Sequence, residues 1–342
     1  MKTKNFTKLA LVSALSFSFA LQAQATRDTI QIAGSSTVLP FSSIAAEEFG
    51  NTFAQFKTPV VGSGGSGGGL RQFCQGVGTN TIDIANSSRA IRPAELDSCK
   101  ANGVTEVIEV KIGYDGIVFA SRIDAGTFAL EPVHVFLAQA ARVPQNGQMV
   151  ANPYTRWSQI DKSLPDQAII LAIPGSNHGT REVYEEKVIL DGCKTLPEVK
   201  AMPSADQNNF CLAMRTDGRV VEIAGDYTET LARLQAQKDA VGVFGLSFYE
   251  SNRDRIKVAT VGGIVPTIDN IIAGTYPVAR PIYFYIKGQH IGVIPGLQEY
   301  AEFHLAEATS GFDSPLEAAG LIPLADAERE EVLQTIRSKK SL

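Results

Sequence analysis

Apolar and polar residues alternate at 29–33, where Thr29-Ile30-Gln31-Ile32-Ala33 reads as a short, half-buried strand. Gly34-Ser35-Ser36-Thr37 and Pro40 follow, and an apolar pattern of helical period then runs through Phe53. Hydroxyl residues ahead of a proline in the first turn mark a helix start. The succession recurs twice. Residues 58–61 enter a glycine-rich turn and a helix over 68–75, and residues 81–85 enter Asn86-Ser87-Ser88-Arg89, after which Pro93 opens a helix that ends at Gly103. Strand, serine-rich turn and helix in repeated order predict an open α/β sheet, whose ligands lie beyond the carboxyl ends of the strands.

Further along, 107–112 and 117–121 read as two strands separated by Gly113-Tyr114-Asp115-Gly116, a hinge candidate. Helices are predicted over 132–141 and near Trp157, and the buried-strand run 168–173 leads through the turn 174–181 into a helix over 182–189. An amphipathic helix at 227–236, a strand at 241–246 and a short helix at 266–274 follow. The apolar strand 279–286 is expected to return to the first part of the molecule, with helices near 294–306, 312–319 and 325–337 closing the chain.

Composition adds a compartment. Lys2, Lys4 and Lys8 precede an uncharged run over 9–21 and then Ala23-Gln24-Ala25, which reads as a secretory signal peptide cleaved after Ala25. The run is shorter than the ~20 residues that a membrane span needs. Removing 25 of 342 residues leaves 317, enough for two domains. The whole chain carries 31 basic and 36 acidic residues, net −5, and losing three leader lysines takes it to −8. That balance opposes nucleic-acid and anionic-membrane binding but not the capture of one small anion. The cysteines, Cys74, Cys99, Cys193 and Cys211, are even in number in an oxidising compartment and read as two disulfides. Of the three connectivities the local one, Cys74 with Cys99 and Cys193 with Cys211, keeps each pair within one proposed lobe. Without a C-x-x-C spacing, no metal site is expected, and no cofactor.

Residues 62–70 hold six glycines in nine positions, with Ser63 and Ser66 among them. Gly62, Gly64 and Gly67 satisfy G-x-G-x-x-G with Asp83 at a dinucleotide-like distance, and residues 64–68 satisfy G-x-S-x-G. A run this rich in glycine satisfies many such patterns, and the missing lysine excludes a P-loop. Three other strand-end turns carry the same chemistry: Ser35-Ser36-Thr37, Ser87-Ser88-Arg89 and the stretch 176–181. All four are rich in hydroxyl and N–H donors and contain no acid. Such donors, with an arginine fork, are what a desolvated oxyanion requires.

Ala33-Gly34-Ser35-Ser36-Thr37-Val38-Leu39-Pro40, Ser66-Gly67-Gly68-Gly69, Asp83-Ile84-Ala85-Asn86-Ser87-Ser88-Arg89 and Gly179-Thr180-Arg181-Glu182, in this order, resemble the periplasmic phosphate-binding proteins of phosphate ABC importers, the PstS family. The resemblance implies a two-lobed α/β binding protein, each lobe an open, mostly parallel sheet flanked by helices, with the ligand in the cleft. Lobe I would comprise 26–112 and 272–342, and lobe II 113–271. It implies a monomeric, non-enzymatic periplasmic protein that captures inorganic phosphate and delivers it to an inner-membrane phosphate permease. Carried over by position, Ser36, Thr37, Ser66 and Gly67 would bind from one lobe and His178, Gly179 and Thr180 from the other. Two positions depart from the family pattern. Ser88 stands where the family has the Asp that accepts the phosphate proton, and Pro174 where it has an Arg, so Arg89 or Arg181 is expected to supply the cation. Asp115, at the hinge, is the candidate carboxylate acceptor. The competing readings are a receptor for another oxyanion such as sulfate, and a secreted hydrolase using Ser66 with His178 as base.

Overall fold

The computed structural model describes residues 27–175, 179–224 and 227–342, so the predicted leader lies outside the described residues. Strand β1 (Gln31–Gly34), helix α1 (Leu39–Thr52), β2 (Val60–Ser63), α2 (Ser66–Phe73), β3 (Ile84–Ser87) and α3 (Pro93–Ala101) repeat the predicted order. β1 lies between β2 and β3, parallel to both, with Ile32 opposite Val61 and Ile84. The three turns before α1, α2 and α3 therefore emerge at one edge of the sheet.

Strand β4 (Val107–Arg122) is continuous over 16 residues where the pattern predicts two strands. The glycines bend it without breaking it. Gly113 sits at φ +152°, and the register against the partner strand shifts there, between Ile282 and Tyr283. Tyr114 exchanges both backbone hydrogen bonds with Ile322, so its polar groups stay satisfied through the bend.

Beyond β4 come α4 (Pro132–Gln139), β5 (Ile170–Pro174), α5 (Gly179–Val183), β6 (Val220–Ile223), α6 (Tyr227–Ala236), β7 (Ala240–Gly245), β8 (Ile256–Val258), β9 (Ala279–Lys287), α7 (Leu297–His304) and α8 (Asp326–Arg337). α5 runs on as a π-helix, Tyr184–Leu190. The strand order is β2-β1-β3-β9-β4-β7-β5-β6, with β8 also on β4. Pairing is parallel within β2-β1-β3 and within β7-β5-β6, where the strands alternate with helices. It is antiparallel where β9 meets β3 and β4 and where β4 meets β7. The cause is topological: β4 carries the chain out of the first half and β9 brings it back, so they run in opposite directions.

Two cores follow from this path. Ile32, Phe49, Val110, Phe284 and Tyr300 belong to one, and Phe119, Phe136, Trp157, Tyr184 and Phe244 to the other. Each fully buried apolar side chain contributes roughly 1.5–3 kcal/mol. β4 passes from the first core at Ile112 to the second at Tyr114. A smaller cluster around Leu70, Phe73 and Tyr285 carries the Cys74–Cys99 disulfide, and Cys193–Cys211 lies in the second half. These are the local pairs. No helix among the described residues is long and apolar enough to cross a membrane.

Candidate oxyanion site

Three strand ends of the first half bring hydroxyls to one place. Ser35 and Thr37 follow β1, and the Thr37 N–H donates to Ser35 Oγ at 3.2 Å. Gly65, at φ +70°, turns the chain into α2, whose first residue, Ser66, puts its Oγ 2.9 Å from Ser88 Oγ and accepts the Ser88 N–H at 3.1 Å. Ser35, Ser66 and Ser88 are all buried.

The glycines permit the approach. A Cβ on Gly69 would lie 2.4 Å from Gly34 Cα, and one on Gly34 would lie 2.1 Å from the Asn86 carbonyl oxygen. Only a chain bare at both positions lets α2 and β3 close on β1. At Gly64 a Cβ would meet nothing within 4 Å, so that glycine has no packing reason.

The cation comes from β9. Arg280, opposite Asp115 on β4, is 5 % exposed and reaches the first turn, where its Nη2 donates to Thr37 Oγ1 at 3.3 Å and its Nη1 to Glu186 at 2.7 Å. Asp115 is also 5 % exposed, and its Oδ2 has no hydrogen-bond partner. Burial pushes its carboxyl up to about 6, with Arg280 opposing the shift and Glu182 adding to it. From the second half, Thr180 is buried at the start of α5, and a hydrogen bond links its side chain to that of Tyr227 on α6. A cavity of about 1000 Å³ opens between the halves, with Thr37, Asp115, Thr180 and Tyr227 in its wall.

The candidates from the sequence divide accordingly. Thr37 and Thr180 line the cleft, Ser88 meets the Glu182 carboxylate that Thr37 also meets, Ser66 lies behind Ser88, and Ser36 is half-buried in the first turn. Gly67 lies on the first turn of α2 and Gly179 opens α5, while His178 falls outside the described residues. The two arginines expected to supply the charge are engaged elsewhere. Arg89 makes two hydrogen bonds to Glu95, at 2.7 and 2.9 Å, and Arg181 is held by Glu185 and Glu222, each at 2.7 Å, and by the Pro174 carbonyl. Asp83, the acid at the dinucleotide-like distance from the glycines, is fully buried and accepts from Arg27, the Gln31 N–H and His290, which makes it structural.

Sequence reasoning missed Arg280 and Glu182. The signal for Arg280 was a charge near the start of the otherwise apolar run 279–286, next to Pro281. For Glu182 it was an acid directly following a donor-rich turn. Its carboxylate accepts from Thr37 Oγ1 at 3.1 Å and Ser88 Oγ at 3.2 Å, so an acid does stand among the donors.

A family model described as a PBP superfamily domain matches residues 21–308. The chain belongs to the PBP superfamily. Among curated proteins it is 28 % identical to Protein SphX of Synechococcus elongatus over 341 residues, 97 % of this chain and 89 % of that one. It is 25 % identical to the phosphate-binding protein PstS of Staphylococcus epidermidis over 279 residues, 80 % of this chain and 73 % of that one. Among solved structures, a possible phosphate binding protein from Planctomyces limnophilus superposes with a TM-score of 0.71 at 23 % identity, covering 92 % of this chain and 99 % of its own. A phosphate-bound putative ABC transporter substrate-binding protein from Clostridium perfringens superposes at 0.52 and 20 % identity, covering 87 % and 100 %. These superpositions show a shared PBP fold of mixed α/β layers. Within that fold the cleft described above lies between the two halves, next to the strands that connect them.

Proposed function

We propose that the protein is an exported, non-enzymatic receptor that captures inorganic phosphate in the cleft and delivers it to an inner-membrane ABC permease. The relatives named as phosphate-binding proteins support the ligand class, and the chemistry of the cleft supports the choice among oxyanions. The observation that carries the reading is the pairing of donors with one unsatisfied acceptor. Ser35, Thr37, Ser66, Ser88 and Arg280 offer donors to bare oxygens, and Asp115 offers a buried carboxylate oxygen with no partner. Near neutral pH phosphate carries at least one proton and sulfate carries none. Sulfate would leave Asp115 facing it unpaired, a loss of ~1–3 kcal/mol or more. In this reading Asp115 takes the acceptor's part that Ser88 cannot play as a charged group, and Arg280 takes the cation's part. The lobe boundaries at 112/113 and 271/272, the leader ending at Ala25 and the monomeric state belong to the same proposal.

The test is competition among phosphate, arsenate and sulfate in calorimetric titrations of the wild type, Ser88→Ala and Asp115→Asn. The wild type is expected to take phosphate and arsenate and to discriminate against sulfate. Asp115→Asn is expected to lose most of that discrimination. Sulfate bound by the wild type as tightly as phosphate would reduce the protein to a general oxyanion receptor.

A further inference from the structure

The donors of the cleft already hold a carboxylate of the chain itself. Glu182 stands on α5, in the second half, yet its Oε2 lies 3.1 Å from Thr37 Oγ1, 3.5 Å from Ser35 Oγ and 3.8 Å from Arg280 Nη2. Its Oε1 accepts from Ser88 Oγ at 3.2 Å. All four partners belong to the first half or to the strand that returns to it. An acid in the first turn of a helix is ordinary and would be satisfied by solvent and its own helix. This one reaches across the cleft instead, and its two oxygens span the turns after β1 and β3 as two oxygens of a tetrahedral oxyanion would.

We propose that Glu182 is an internal ligand of this cradle: a bound oxyanion must displace its carboxylate, which otherwise latches the two halves together. The inference rests on the phosphate reading of the cleft. Two negative groups competing for one set of hydroxyls, beside a guanidinium that Glu186 already engages at 2.7 Å, repel each other in a partly desolvated space. The Glu182 side chain, 28 % exposed on a short helix, has room to swing outward when an anion takes its place. The exchange keeps the donors partnered at every stage and lowers the apparent affinity by the fraction of molecules in which Glu182 occupies the cradle.

The experiment titrates phosphate and sulfate into wild type, Glu182→Gln and Glu182→Ala, each stripped of bound anion by unfolding and refolding, and measures small-angle X-ray scattering of the anion-free proteins. Gln keeps the shape of the side chain, so a folding defect in the Ala variant does not remove the test. Both variants are expected to bind phosphate about 10-fold or more tighter than the wild type, as release from an internal competitor requires. Their anion-free forms are expected to have a larger radius of gyration. Wild-type binding with equal or weaker binding by both variants overturns the inference, and a loss confined to phosphate would make Glu182 an acceptor of the ligand proton instead. Absence of phosphate binding in all three proteins would overturn the phosphate reading, and the inference with it.

Discussion

Two buried titratable side chains carry opposite pH signatures. Asp115 has a folded-state value of about 6, above its ordinary 3.8, so the folded protein holds that proton more tightly than the unfolded chain does. The stabilisation is complete below pH 3.8 and is lost as pH rises through 6. Above that, the buried charge costs up to about 3 kcal/mol. Asp115→Asn is expected to be more stable than the wild type at pH 8 and equal to it near pH 4, and urea unfolding at the two pH values would contradict this if the difference did not change. His304 lies in the first core against Phe284 and Tyr300 with neither ring nitrogen partnered, and burial pushes its value down to about 4. Here the unfolded chain binds the proton first. The stability is present above pH 6.5 and is lost as pH falls to 4, again by roughly 3 kcal/mol. His304→Leu is expected to lose less stability than the wild type between pH 7 and 4.5, and parallel losses in the two proteins would remove His304 from the account. The donor-rich turns were legible because they follow short strands, but within the first turn the resemblance points to Ser36, whereas the hydroxyl that meets Glu182 beside that of Thr37 is the one on Ser35. Arg280 was not legible, since it meets Thr37 across 243 positions of sequence and its one local mark, a charge in an apolar run, does not say which partner it reaches.

At the scale of elements, the strand-turn-helix units could be read because Pro40 and Pro93 mark helix starts and the strands before them are short and apolar. The continuity of β4 could not, because Gly113 and Gly116 punctuate a sequence equally well as a break or as a bend, and the choice depends on backbone partners such as Ile322 supplied from far along the chain. The glycine-rich turn separates two purposes that composition merges. Gly69→Ala puts a methyl against the Gly34 backbone and is expected to destabilise by about 1–3 kcal/mol, because neither backbone can yield. Gly64→Ala meets open space and is expected to stay within about 0.5 kcal/mol of the wild type. Thermal unfolding of the two variants side by side measures the contrast, and equal destabilisation would contradict the packing argument.

For the whole molecule, a ligand held between two cores adds a tie to those the continuous sheet already makes. At a hundredfold excess over its dissociation constant, phosphate is expected to raise the unfolding free energy by about 2.7 kcal/mol. A melting curve unmoved by phosphate and by arsenate would count against binding in the cleft. Loss of either disulfide is expected to cost very roughly 2–4 kcal/mol of stability. The measurement is urea unfolding of Cys74→Ala/Cys99→Ala and Cys193→Ala/Cys211→Ala, beside phosphate titration of both. Affinity should fall far less than stability, since neither bond touches the cleft donors.

The placement of those two bonds has a mechanical consequence. One fastens α2 to α3 and the other fastens the segment after the π-helix to the helix Ser204–Leu212, and neither joins one half to the other. The two bonds therefore stiffen each half from within and leave the passage between the two cores uncrosslinked. The bend of β4 at Gly113, where the chain crosses from one core to the other, is held by the Tyr114–Ile322 backbone pairing rather than by a covalent staple.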